Sequence, residues 1–242
     1  MKRSRACLKS CNKSIELGSE KIDYLVEWRN VRYSRLHFRS GKLLVVLPKH
    51  LDSELSLLHK KQDWIVKKHA KIHNILKIAY DNAKENRIPI LGQDFSIIPS
   101  EKFFFDPVQK IIRADLQNIR HRNKLLRSLK SLLADEIYSI LNKYDDLTKS
   151  KKFEVMIRVQ RTRWASYAPN GKLCFNLKMA FLSKEMMEYI VFHELTHIKE
   201  RHHNGMFWKE VEERYPNFKE HEKELFNNWF LAQRYLEILS YE

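Results

Sequence analysis

The stretch at residues 189–198, Tyr-Ile-Val-Phe-His-Glu-Leu-Thr-His-Ile, constrains this chain more than any other. Its spacing predicts an α-helix on which His193 and His197, four residues apart, stand one turn apart on the same face, about 6 Å along the axis. Two imidazoles so placed can converge on one ion. Glu194 comes about 100° further round the helix. There it can take a proton from water bound to that ion. The HExxH pattern therefore points to zinc-assisted hydrolysis. The four apolar or aromatic residues before His193 are what a helix buried beside a dry site requires.

A tetrahedral catalytic zinc needs a third protein ligand and keeps its fourth position for water. If the helix ran on past His197, His203 would point away from the first two histidines. Asn204-Gly205 reads as a helix stop, so the chain can turn there and bring a histidine back. His203 is the better candidate and His202 the alternative. Glu200, Glu210, Glu212 and Glu213 are further candidates, because some zincins use a downstream glutamate, although each alone reads more simply as part of a solvated helix face. The oxyanion that develops during hydrolysis needs another donor. Tyr167, His202, Tyr215 and Arg161 are the candidates, and the sequence does not separate them.

His-Glu-Leu-x-His, five residues, then His203 and Phe207-Trp208 resembles the YgjP-like metallopeptidase family, a zincin group similar to SprT-type proteases. Upstream, Arg163-Trp164-Ala165-Ser166-Tyr167, Asn170-Gly171 and Leu173-Cys174-Phe175-Asn176 are similar to the family's TRWGSC and LxFN blocks. The N-terminal half, with Trp64-Ile65 and Leu91-Gly92, is similar more loosely, and the likeness extends over roughly residues 20–240. It implies Zn2+ held by His193, His197 and His203, with Glu194 as catalytic base. The chain departs from the pattern at His202, where the family has Asn, at Asn204, where it has Ser, and at Ala165 and Tyr167 in the WGSC block.

Charge bears on the partners. Forty-five Lys and Arg against 30 Asp and Glu give a formal net charge of +15. Such a field favours polyanions, DNA or RNA among them, although lysine-rich surfaces also serve solubility. Arg29, Arg32, Arg35 and Arg39 interleave with Trp28, Tyr33 and Phe38, residue types that suit phosphate contact and base stacking. In a strand those aromatics are expected to face the core instead. No run of eighteen apolar residues spans a membrane. The basic start lacks an apolar signal region, and Cys7, Cys11 and Cys174 form no disulfide framework. A reducing cytoplasm is the expected location. Cys7 and Cys11 read as free thiols.

The expected fold class is α+β, with a small antiparallel β-rich N-terminal part carrying helices and a C-terminal zincin-like module. Residues 1–20 read as a mobile basic tail, 21–150 as the N-terminal region and 151–242 as the catalytic module, unless 21–242 form one continuous domain. Alternation at Ile22, Tyr24, Val26 and Trp28, and again at Leu43, Val45 and Leu47, predicts strands turned at Ser40-Gly41. Asp52-Ser53 can cap one helix with the stripe Leu55, Leu58, Ile65, Ile72, Leu76 and Ala79, on which Trp64 serves as a packing anchor. Strands return over 86–116, with Phe103, Phe104 and Phe105 read as buried strand. A long helix follows to about residue 146, then a charged connector at 148–152. Alternation then predicts a strand from Phe153, a turn at Asn170-Gly171 and a strand from Leu173 to Phe181. Ser183 caps the HExxH helix, and two helices parted by Pro216 close the chain.

Three function classes fit this pattern: a zinc peptidase acting on protein or peptide, working near nucleic acid; a zinc hydrolase of a nucleotide phosphoanhydride; and a nucleic-acid-binding protein with structural zinc. No Gly-rich phosphate loop supports the second. A general base at Glu194 has no use in the third.

Overall fold

The computed structural model describes residues 10–144 and 153–240. Cys7 and the connector at 148–152 lie outside the described residues. The chain divides into two units, residues 1–77 and 78–242. Among the described residues no helix is long and apolar enough to cross a membrane.

The first unit is a four-stranded sheet with helices on one face. Strands β1 (Ser10–Leu17), β2 (Glu20–Arg29), β3 (Arg35–Arg39) and β4 (Lys42–Pro48) are arranged in the order β1-β2-β4-β3. Two hairpins build it. Gly18, at φ +64°, turns β1 into β2, and Ser40 and Gly41, both at positive φ, turn β3 into β4. The pair β2/β4 is parallel, so the sheet is mixed rather than antiparallel throughout. The described part of the expected tail is strand β1. Its alternation of Ile15 and Leu17, followed by Gly18-Ser19, carried the signal. Leu17, Ile22, Tyr24, Val26, Leu43, Val45 and Leu47 form a core with Leu58 of α1 (Leu55–Lys60) and Ile65 of α2 (Gln62–Lys84). The one expected helix is thus two, parted at Lys61. Trp64 remains 43% exposed and meets Phe38 at 6.1 Å between ring centroids, an edge contact rather than an anchor.

Among the described residues the second unit carries two sheets, four α-helices and one 3-10 helix. Strands β5 (Arg87–Ile90), β6 (Gln93–Ile98), β7 (Phe104–Asp106) and β8 (Ile111–Arg113) are ordered β5-β6-β8-β7. Helix α3 (Ile119–Lys143) follows, capped by Asn118, whose side chain accepts from Arg120 N at 2.9 Å. Strands β9 (Glu154–Arg158), β10 (Ala165–Ala168) and β11 (Lys172–Asn176) form a sheet ordered β10-β11-β9. A 3-10 helix (Leu177–Phe181), α4 (Lys184–Thr196), α5 (Gly205–Arg214) and α6 (Phe218–Ser240) complete the chain.

One core runs through this unit. Ile88, Ile90, Phe95 and Ile112 of the first sheet belong to the same cluster as Leu125, Leu129 and Leu133 of α3 and Leu173, Phe175, Met187 and Tyr189 beyond. This core has members on both sides of residue 150, and the two compact units meet in sequence between Lys77 and Ile78.

Two strand readings need correction. Phe105 stacks on Phe95 at 5.8 Å, but Phe104 is 48% exposed, because neighbours in a short strand face opposite ways. The strand expected to reach Phe181 ends at Asn176. There the Asn176 side chain accepts from Lys178 N at 3.2 Å and starts the 3-10 helix. The Leu91-Gly92 hairpin packs beside that segment, with Leu91 N donating to Ala180 O at 2.8 Å. Gly92 has φ +73°, and an added Cβ would meet Ser183 Cα at 3.2 Å. Glycine is what lets the hairpin approach the start of α4.

Candidate metal centre

Helix α4 has no solvent-facing stripe of ordinary width. Met186, Met187, Tyr189, Ile190, Val191, Phe192, Leu195 and Thr196 are all buried. Ser183 caps it, with Oγ accepting from Met186 N at 3.3 Å, and Glu185 adds negative charge to the first turn. The helix ends at Thr196, whose hydroxyl donates back to Phe192 O at 3.0 Å, and His197 is the C-cap residue. The chain thus turns well before Asn204-Gly205. Asn204 starts the next helix rather than stopping this one: its side chain accepts from Phe207 N at 2.9 Å.

That early turn swings His203 back. One ligand nitrogen from each of His193, His197 and His203 lies within 4.8 Å of the others. The Nε2 atoms of His193 and His203 are 2.9 Å apart. His197 Nδ1 donates to Glu200 O at 2.9 Å, which leaves Nε2 as the lone-pair nitrogen. The ring of Phe207 lies against all three imidazoles, at centroid distances of 4.9, 4.8 and 4.6 Å. Trp208 stacks on His203 at 5.7 Å.

Electrostatics suit a cation here. Burial, then His203 and His197, pushes the His193 pKa down to about 3, so its ring is neutral at neutral pH. His203 is lowered as well, by burial and then by His197, with Glu222 opposing. His193 Nδ1 is buried with no hydrogen-bond partner among the described residues. Three converging imidazoles, with those of His193 and His203 held below the ordinary histidine range, are a donor set that zinc fits.

Glu194 follows His193 on α4 and is 7% exposed. Burial raises its carboxyl to about 7, while the Tyr167 backbone N–H and the charge of Arg163 pull the other way. Tyr167 lies on β10, which among the described residues is an edge strand paired with β11 alone.

Asn176 sets the approach of that strand. Fully buried, it donates from Nδ2 to Gln160 O at 2.9 Å and to Arg163 O at 2.8 Å, and its backbone N donates to Trp164 O at 2.7 Å. Behind this loop Trp164 meets Trp229 edge-on at 5.0 Å, and Lys178, 1% exposed, holds Nζ 3.7 Å from the Trp229 ring centre.

The other candidate residues fall out differently. His202 and Arg161 are exposed. The Tyr215 hydroxyl meets Tyr144 Oη at 3.2 Å, in a network with Glu188 and Lys143, so it is directed to a structural cluster. Tyr167 reaches Glu194 through its backbone, and its ring lies 6.5 Å from Phe153. Glu200 gives its backbone oxygen to His197 and its carboxylate to Asn204 Nδ2 at 3.1 Å. Glu210 pairs with Lys199, while Glu212 and Glu213 are exposed. Sequence reasoning passed over Arg163 and Asn176 as site residues, although both stand in the blocks that carried the family resemblance. It also passed over Glu222, which accepts from Tyr189 Oη at 2.7 Å.

Comparison with known proteins gives a family and several partial structural likenesses, among them two metallopeptidase zymogens. The family described as YgjP-like, metallopeptidase domain, matches residues 32–228. The crystal structure of the metallopeptidase zymogen of Pyrococcus abyssi abylysin is 28% identical over 37% of this chain and 90% of that one, with a TM-score of 0.34. That of Methanocaldococcus jannaschii jannalysin, also a metallopeptidase zymogen, is 22% identical over 38% and 88%, with the same TM-score. No curated protein matches.

Proposed function

The chain belongs to the YgjP-like metallopeptidase family, a zinc-dependent class, and on that premise we propose that it hydrolyses peptide bonds with His193, His197 and His203 as zinc ligands and Glu194 as general base. The observation that carries this reading is the convergence of the His193, His197 and His203 imidazoles next in sequence to a buried carboxyl. When bound, zinc lowers the pKa of coordinated water towards about 7 and polarises the scissile carbonyl. Glu194 takes the proton of the attacking water and delivers it to the leaving amine nitrogen. A carboxyl held near 7 is suited to both halves of that transfer.

Arg163 is the positive group that acts on Glu194 and, among the described residues, has no carboxylate within salt-bridge distance. It is a better candidate than Arg161 or Tyr215 to meet negative charge on the substrate. The edge of β10 is suited to an extended peptide through main-chain pairing. The formal charge of +15 favours substrate proteins that are themselves bound to nucleic acid, in a reducing cytoplasm.

The test is a paired assay of wild type and Glu194→Gln on an unfolded protein substrate, with zinc quantified in both. The reading expects equal zinc and loss of cleavage by at least 100-fold in the variant. Equal cleavage by both proteins overturns it.

A further inference from the structure

The sheet of the first unit has two unlike faces. Residues Tyr24, Val26 and Trp28, with Leu43, Val45, Leu47, Leu36 and Phe38, turn towards the helices. The register puts the alternate residues on the other side. Arg35 lies opposite Val46, His37 opposite Leu44 and Arg39 opposite Lys42, and on the far side of β4 Glu27 lies opposite Val46 and Arg29 opposite Pro48. Directly paired residues share a face. Arg29, Arg35, His37, Arg39 and Lys42 therefore share one face; Leu44 and Val46 of β4 and Glu27 of β2 are buried on it, and its exposed side is β3 with Lys42.

We propose that the exposed β3 edge of this face, formed by Arg35, His37 and Arg39, binds the phosphate backbone of single-stranded nucleic acid. It rests on the reading that the peptidase works beside nucleic acid, and is independent of its zinc chemistry.

Three observations carry it. First, Arg35, His37 and Arg39 are exposed, on a strand paired on one side only. Alternate residues of a strand are about 7 Å apart, close to the reach between successive phosphates of an unstacked strand. Second, the cations are barely neutralised. Arg29 is paired with Glu27, and Asp23 is the remaining acid in line on β2. No carboxylate pairs with Arg35, Arg39 or Lys42 among the described residues. The crowding is felt at His37, lowered by burial first and then by Arg29, Arg39 and Arg35, with Glu27 opposing. Third, Tyr33 in the loop leading into β3 is 64% exposed, with the Arg32 guanidinium 5.1 Å from its ring centre. An open ring beside a row of phosphate-binding cations is a stacking platform for an unpaired base. Trp28 and Phe38 turn to the core as expected, and Tyr33 does not.

The experiment measures fluorescence anisotropy of a labelled oligothymidylate of about 20 nucleotides against full-length protein, titrated across salt concentrations. Arg35→Glu/Arg39→Glu is compared with Lys102→Glu/Lys130→Glu, which changes net charge equally in the second unit. The proposal expects the β3 variant to bind at least tenfold more weakly. Its salt dependence should flatten by about 1.4 in log–log slope for two lost phosphate contacts. The control pair should change affinity less than threefold. Arg35→Gln/Arg39→Gln and Tyr33→Ala repeat the measurement without charge reversal and should each weaken binding.

Equal weakening by both charge-reversal pairs overturns the proposal in favour of a diffuse field. So does absence of oligonucleotide binding, or tighter binding to anionic vesicles or polyglutamate-binding controls than to the oligonucleotide. Cleavage of a short free peptide is read in parallel. It should be unchanged in the β3 variants, so loss of peptidase activity in wild type would indict the zinc reading and leave this one standing.

Discussion

Asn176 Nδ2 donates to the carbonyl oxygen of Arg163 at 2.8 Å, so a residue with no exposure at all fixes the backbone of an exposed arginine that acts on Glu194. The same nitrogen also holds Gln160 O at 2.9 Å, and Asn176 Oδ1 accepts from Gln160 N at 3.3 Å. Both ends of the 160–164 loop are thus closed by one side chain.

Asn176→Asp keeps the shape and removes the donor. The carboxylate would face two carbonyl oxygens with no proton to offer, a buried arrangement costing about 2–4 kcal/mol. Thermal melts should show the loss, and Asn176→Ala should lose a similar amount. Stability equal to wild type in the aspartate variant would show that the loop does not depend on this bond.

The proposed third ligand, His203, can be separated from its neighbour in sequence. His203→Ala should lose most of its zinc after dialysis, whereas His202→Ala, whose side chain is exposed outside the cluster, should keep it. Loss of one of three ligands is expected to weaken zinc binding by 100-fold or more, on the order of 3 kcal/mol. Metal quantification on the two purified variants decides the matter, and a reversed order would move the ligand to His202.

Lys178 gives a pH signature. Burial pulls its pKa down to about 8, opposed by Glu237. The unfolded chain keeps its proton up to an ordinary lysine value near 10.4. Below about 8 both states are charged and the folded one bears the full cost of burying that charge. Between about 8 and 10.4 the unfolded state holds more protons, so stability rises with pH. Relative to Lys178→Met, wild type should gain about 2 kcal/mol across that window, with the Trp229 ring softening the cost at the low end. Denaturant melts of both proteins at pH 7 and pH 10 measure it. A difference that does not change with pH would refute the assignment.

Much of the site was legible because its signals are local. The HExxH spacing, the Ser183 cap and the apolar residues before His193 depend on nothing beyond one helix. What escaped depends on pairing across the chain. Asn204 has the chemistry of a helix stop and of a helix start, and only the turn at Thr196 decides between them. Nothing in residues 20–48 says that β2 and β4 run parallel, because alternation is identical for either direction. Strand β1 was hidden by its polar composition, although Gly18-Ser19 marked the hairpin. The roles of Asn176 and Arg163 were invisible as chemistry, since an asparagine ending a strand shows no sign of which carbonyls it will meet. Even so, the family blocks had brought both residues onto the page.

The phenylalanine that touches all three imidazoles has a consequence for metal supply. Phe207 is fully buried and meets the rings of His193, His197 and His203 at nearly equal distances. The rings of the three proposed ligands are therefore packed on one carbon surface. A mould of that kind fixes geometry but does little to choose among first-row divalent ions of similar size. If these three residues are the ligands, as proposed, Phe207 fixes the geometry of the rings, and the identity of the ion follows availability and the general order of affinities for nitrogen ligands.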